Sequence, residues 1–197
     1  MPAKQITKID AVSTIFSGIS EIAICDAPAD YATATLASLT NWKSLNDIKL
    51  DSTNFTGDAP TETLVKNEKG AVVVSTAVAG TNKFEFICYN TSATVLQKML
   101  KASAKSESGA FAADDLFAQT STVHGFGDSL PILECPIMVV NDVANQAVLF
   151  AKAKIVSTMV LDSKVLAIKC TVTAQDISTA YLSTAMVIRG ALDVNNA

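Results

Sequence analysis

Apolar and polar positions alternate with a period of two along much of this chain. The longest such stretch, "AVLFAKAKIVSTMVLDSKVLAIKCTVTA", runs from Ala147 to Ala174. Alternation predicts strands, whose successive side chains point to opposite faces. Two runs are joined there by Asp162-Ser163, and each is about twice the usual strand of about 5–6 residues. Leu149, Ala151, Ala153, Ile155, Ser157, Met159 and Leu161 share one predicted face of the first run. Val148, Phe150, Lys152, Lys154, Val156, Thr158 and Val160 share the other. On the return, Leu166, Ile168, Cys170 and Val172 oppose Val165, Ala167, Lys169, Thr171 and Thr173. One face is apolar, as a core requires; the other mixes lysine and threonine with valine. A ribbon this long overshoots what a small sandwich needs, and its edges offer unpaired backbone groups. Edge pairing between copies that closes a ring removes that hazard, although a large monomeric sandwich explains the same alternation.

Shorter signals flank the ribbon. Residues 1–18 are polar and punctuated and read as an arm, with Ile9, Val12 and Phe16 at helical spacing. "ISEIAIC" (Ile19 to Cys25) alternates as a strand, and "KSLNDIKLDS" is a second strand candidate. "TETLVK", "AVVVSTA" and "KFEFICYN" follow one another on short turns and predict a three-stranded meander. In the last of these Phe84, Phe86 and Cys88 face one way, against Lys83, Glu85, Ile87 and Tyr89. "TSATVLQKMLKA" is the best helix: Thr91 or Ser92 caps it, and Val95, Leu96, Met99 and Leu100 form its apolar stripe. Residues 103–130 form a long loop in which Asp114 to Gln119 could make a short helix. Pro136 lies inside the apolar run "ILECPIMVV" and predicts an edge strand or a bulge, because proline cannot donate to a ladder. A last strand candidate lies in "TAMVIRGALDV" before a polar end, "NNA", and residues 189–197 read as the C-terminal tail.

Composition narrows the function classes. Hydrophobic residues make up 49% of the 197 and charged residues only 17%, with a mean hydropathy of +0.33. Yet no run approaches the roughly 18 apolar residues of a membrane span, and the N-terminus has no apolar block of a secretory signal. An apolar chain of this kind has surplus surface to hide, and burial against copies of itself is one way. The net charge of −4 lacks the cationic excess that tight nucleic-acid binding needs, but it suits a passage that lets nucleic acid slide by.

The order of elements resembles the bacteriophage tail tube (major tail protein) family. The similar block is "NWKSLNDIKLDSTNFTGDAPTETLVKNEKGAVVVSTAVAGTNKFEFICYNTSATVLQKML". It has an early strand, an acidic "FTGDAP" loop, the "TETLVKNEKG" turn, a "GT-x-x-F-x-F" strand and the closing helix, within a resemblance spanning about Ile19 to Val187. The resemblance implies a mainly β fold, a β-sandwich or barrel with one flanking α-helix and a long β-hairpin, over residues 19–188. It implies hexameric rings that stack into a hollow tube, found in the virion tail after assembly in the host cytoplasm. Its partners would be further copies and other tail proteins (terminator, baseplate or tip, and a sheath in a contractile tail). DNA would pass through without specific binding. The tube proteins of contractile tails and of type VI secretion share that fold, and a capsid decoration or adhesin-like β-sandwich is the alternative. Mapped by similarity, Lys152, Lys154, Val156, Thr158, Lys169, Thr171 and Thr173 are the inner-wall candidates. The arm, the 103–130 loop and the C-terminal tail are the candidates for ring-to-ring contact. A lumen wall in this family tends to be acidic, so Lys152, Lys154 and Lys169 depart from the pattern.

Reactive residues are sparse. Cys25, Cys88, Cys135 and Cys170 are widely spaced and read as small buried hydrophobes. Ser121, His124 and Asp128 lie close in sequence, but a triad is defined by geometry, and Cys135 with His124 is no better supported. Asp114-Asp115 reads as a helix-start feature, "HGFGD" lacks a phosphate-loop pattern, and Trp42 reads as a packing residue. The expectation is a structural protein with no enzymatic activity, no cofactor, no metal and no membrane span.

Overall fold

In a computed structural model the described residues are 19, 21–49, 51–78, 80–104, 124–127, 129–141 and 146–189. The strands are β1 (Glu21–Ile24), β2 (Lys43–Ser44), β3 (Asn54–Gly57), β4 (Thr61–Lys66), β5 (Val72–Val78), β6 (Asn82–Cys88), β7 (Ser103–Ala104) and β8 (His124–Gly125). They continue as β9 (Ile132–Asn141), β10 (Gln146–Asp162), β11 (Val165–Ala174) and β12 (Met186–Arg189); α1 spans Ala93–Leu100. The fold is mainly β with one flanking helix, as the sequence predicts. The arm, Asp114 to Gln119, Ser121, Asp128 and the tail from residue 190 lie outside the described residues.

The main sheet is antiparallel, in the order β2-β1-β9-β10-β11-β6-β3, with β12 added beside the first residues of β10. Its width comes from β10, whose 17 residues pair with β9 on one side and with β12 and then β11 on the other. The sheet is curled. Phe55 on β3 and Phe150 on β10 stack with ring centroids 6.4 Å apart, although two strands lie between them. A flat sheet would hold those strands about 14 Å apart. Phe84 sits between the two rings, 5.0 Å from Phe55 and 5.4 Å from Phe150.

Pro136 explains the one irregularity of β10. The pairing shifts between Phe150 and Ala153, which face Ile137 and Cys135, so β10 carries one extra residue opposite the proline. Strand β9 is internal, flanked by β1 and β10, which leaves the bulge as the outcome of the two sequence alternatives. A bulge flips the face of everything beyond it. Leu149 and Ala151 therefore belong to a small cluster with Cys25, Leu39 and Leu182, while Phe150, Ala153 and Ile155 enter the large core. The prediction that Leu149 through Leu161 share one face is corrected at this point: the alternation is broken in the middle, and the sheet is packed on both sides.

The large core holds Ile22, Ile24, Phe84, Phe86, Ile137, Ile155, Ile168 and Val172, all fully buried. Helix α1 closes it with Met99 and Leu100, and its Lys98 reaches Asp26 at 2.8 Å. Ser92 occupies the helix N-cap position without a side-chain cap bond, its own N–H donating to Asn90 Oδ1 at 3.0 Å.

Three further expectations change. "KSLNDIKLDS" contributes only Lys43–Ser44 as strand, because Asn46, Asp47 and Asp51 take left-handed backbone angles that end the run. The ribbon turn is centred on Ser163 and Lys164, one residue later than read, with φ of 50° and 71°. The three-stranded meander does not form. Strands β4 and β5 pair only with each other, while β6 lies in the main sheet between β11 and β3.

Candidate functional site

The alternation of β10 beyond its bulge places the residues that the sequence singled out as wall candidates. Lys154 pairs with Thr173, Val156 with Thr171 and Thr158 with Lys169. Strand β6 continues each row, with Lys83 beside Thr173, Glu85 beside Thr171 and Ile87 beside Lys169. Six of the seven wall candidates thus form one cross-strand lattice, on the face opposite the large core, and all six are half-buried or exposed. Lys152 does not join them. It sits in the bulge with its ammonium 5.4 Å from the centre of the Tyr31 ring, a cation–π contact.

Cation and carboxylate are interleaved on this lattice. Lys169 Nζ lies 3.0 Å from Glu85 Oε2, and Thr171 Oγ1 donates to Glu85 Oε1 at 3.2 Å. The Lys169 bond holds the Glu85 carboxyl below its ordinary range. Lys83 reaches Asp58 at 3.4 Å, and Lys154 stands in register with Glu134 of β9. Exposed pairs like these add little to stability, about 0–1 kcal/mol each. Their consequence is electrostatic: the lysines carry adjacent carboxylates, so the surface is close to neutral.

The ribbon overruns its neighbours. Pairing with β9 stops at Val156 and pairing with β6 stops at Ile168, so the last turns of β10 and β11 project. The tip is braced from the side: Asp162 accepts from Lys49 Nζ at 2.7 and 2.9 Å and from Tyr89 Oη. Lys49, then Tyr89, draw the Asp162 carboxyl below its ordinary range. On the core side of the tip Met159, Leu161 and Leu166 remain exposed at 40%, 77% and 42%. Beneath them opens a cavity of about 380 Å³ lined by Leu100, Phe126, Gly127, Ser129, Pro131, Ser157, Thr158 and Met159.

A second surface escaped the sequence reading. Every residue of β4 and β5 is exposed, including Leu64, Val65, Val72, Val73, Val74 and Val78, and among the described residues neither strand packs extensively on an element other than its partner. The signal was present in "AVVVSTAVAG", which is apolar on both strand faces, a pattern of strands buried on both sides. The described residues of one copy supply no such burial.

The remaining candidates are packing groups or stay apart. Cys135 is buried, and burial pushes its thiol up to about 12; Cys25 and Cys170 are likewise pushed up to about 12. Such thiols stay protonated. His124 lies in the small β7–β8 sheet opposite Ala104. The Trp42 indole donates to Leu39 O at 2.8 Å and packs on the smaller cluster. Among the described residues no group of three His, Cys, Asp or Glu could hold a metal ion, and no helix is long and apolar enough to cross a membrane. No protein-family model matches this chain, and no curated protein matches it.

Proposed function

We propose that this chain is a tail tube subunit of a bacteriophage virion, polymerising into stacked hexameric rings that form the conduit for genome ejection. The observation that carries the reading is the lattice of Lys154, Val156, Thr158, Lys169, Thr171 and Thr173, a wet and charge-compensated face backed by a packed core. A wall of this kind suits a conduit. It presents no net cationic field to hold phosphates, and its short threonine and valine side chains offer little to grip. The Glu85–Lys169 and Asp58–Lys83 pairs account for lysines on such a wall without requiring them to face away. Assembly is the mechanism: edge pairing within rings, and contacts by projecting segments between rings. The partners are further copies, other tail proteins and passing DNA.

A concentration series under negative-stain electron microscopy, beside size exclusion, tests this. Stacked rings or hollow filaments are the expected result, from the full chain or from one lacking residues 1–17. A monomer at every concentration in both forms overturns it. The cavity beneath Met159 favours one alternative, a monomeric β-sandwich binding module from a capsid or cell surface. At about 380 Å³ it is of ligand size, and such a protein stays monomeric while the cavity takes a small apolar molecule.

A further inference from the structure

The geometry points to a head-to-tail contact in which the β4–β5 hairpin of one copy docks on the groove beneath the β10–β11 tip of the next. This deepens the self-assembly reading and rests on it, naming the two surfaces that meet.

Register places the two surfaces at opposite ends of the molecule. Strand β11 leaves the ribbon turn at Val165, and its residues Ile168 to Thr173 pair with β6 from Cys88 back to Lys83. The end of β6 nearest the ribbon tip is therefore Cys88, and the end from which β5 and the hairpin extend is Asn82. One apolar surface leaves the sheet at each end of the strand direction.

The hairpin is also sided. Its register continues that of the main sheet: Gly57 pairs with Asn82, and Thr61 with Val78. Period-two alternation then carries the core face of Phe55 and Phe84 out to Thr61, Thr63, Val65, Val74, Thr76 and Val78. No charge lies on that face; Glu62 and Lys66 occupy the other. Strand β5 has no ionisable residue and no proline, and among the described residues its outer edge is unpaired, so the devices that normally blunt an exposed strand are absent there. An isolated two-stranded hairpin is marginal in water, so this one gains by docking.

Charge selects the occupant. Among the described residues the groove lining has no ionisable side chain, so seating the Val65–Val74–Val78 face against them leaves none of their charges buried without a partner. An anionic membrane or a nucleic acid finds no cationic counter-charge among the described residues of the groove or on the Val65–Val74–Val78 face. The donor and acceptor are different patches of the same chain, and such heterologous contacts generate open, repeating assemblies.

The test uses the full chain carrying Val74→Cys mixed with full chain carrying Met159→Cys under mild oxidation, beside Val74→Lys and the opposite-face control Leu64→Lys in the assembly assay. Both cysteine positions are exposed, at 48% and 40%, so the fold is not at stake; circular dichroism checks it. The expected result is a disulfide-linked pair, with Val74→Lys raising the assembly concentration on the order of tenfold or more, about 1.4 kcal/mol, and Leu64→Lys unchanged. Filaments without the cross-link, equally formed by Val74→Lys, overturn this contact and leave the tube reading standing. A cross-link without filaments or rings keeps the contact and overturns the tube. Neither overturns both and assigns the groove to another occupant, such as a small apolar molecule.

Discussion

Two hairpins of this protein are built from similar residues and have opposite fates. The β10–β11 ribbon and the β4–β5 hairpin are both rich in valine and threonine, and both turn tightly. Strand β10 has neighbours on both edges and a core beneath it, so Ile155 is fully buried; β5 has only β4, and Val74 is 48% exposed. Strand propensity is common to both, and the neighbours make the difference: β-propensity measures fit to a surrounding surface more than a backbone preference. The ribbon is structural because its surroundings are internal. The hairpin is available to a partner because none of the described residues covers it.

The largest contrast is in stability. Truncating Ile155 to alanine removes a fully buried side chain and is expected to cost about 2–5 kcal/mol through lost transfer energy and the cavity left behind. Val74→Ala in the hairpin is expected to stay within about 0.5 kcal/mol in the unassembled protein. Urea denaturation of the two variants measures both. Equal losses would mean that the hairpin is packed in solution and that the comparison is wrong.

The junction between the hairpin and the sheet is the next place to press. A β-carbon at Gly80 would meet Asp58 O at 1.5 Å, a backbone atom that cannot move aside alone. Gly80→Ala must therefore open the crossing where Asp58 N–H donates to Thr81 O at 3.1 Å. The expected cost is about 1–3 kcal/mol, read as a lower melting temperature. Faster proteolysis within residues 61–78 should accompany it, with the β10–β11 ribbon still protected.

The ribbon turn sharpens the comparison in the other direction. Ser163 and Lys164 both have positive φ, the pattern of a primed hairpin turn, which favours Asn-Gly. The double variant Ser163→Asn, Lys164→Gly should relieve left-handed strain and stabilise by about 1 kcal/mol, seen as a raised denaturation midpoint with an unchanged slope. No gain would mean that the bracing at Asp162 already absorbs the strain.

Much of this architecture is legible in the sequence, and its failures have physical causes. Alternation identified the long ribbon beyond its bulge, the Phe84–Phe86–Cys88 face and the apolar stripe of α1, because each of these repeats a period against a single core. Pro136 announced an edge strand or a bulge, but nothing local decides between them or says which residue of the partner strand absorbs the bulge. The face of Leu149 and Ala151 was therefore misassigned. The meander failed because "AVVVSTA" and "KFEFICYN" are adjacent in sequence and compatible as strands, while their separation depends on the crossing at Asp58 and Gly80. Of the candidate wall, the lysines and threonines were legible and the compensating carboxylates were not, since Glu85 arrives from β6 and Asp58 from the loop after β3. The groove under Met159 joins residues from α1, β10 and the loop before β9, a combination that no window of sequence contains.

The smallest effect concerns acid. Asp162 braces the tip through Lys49 and Tyr89, and these bonds hold its carboxyl below the ordinary value of 3.8. Because the folded state binds the proton less readily than the unfolded chain does, the bracing contributes stability above the ordinary carboxylate range. That contribution is lost as pH falls through the depressed folded value. Asp162→Asn should remove this part of the pH dependence, flattening the stability profile on the acid side of the ordinary carboxylate range and leaving its slope near neutrality unchanged. Hydrogen exchange at Leu161 and Val165 across that window localises the loss to the tip, while exchange in β4 and β5 should not respond. If the hairpin amides respond as strongly as the ribbon tip, the two regions share a cooperative unit, and the division between an internally braced ribbon and a free arm would fail.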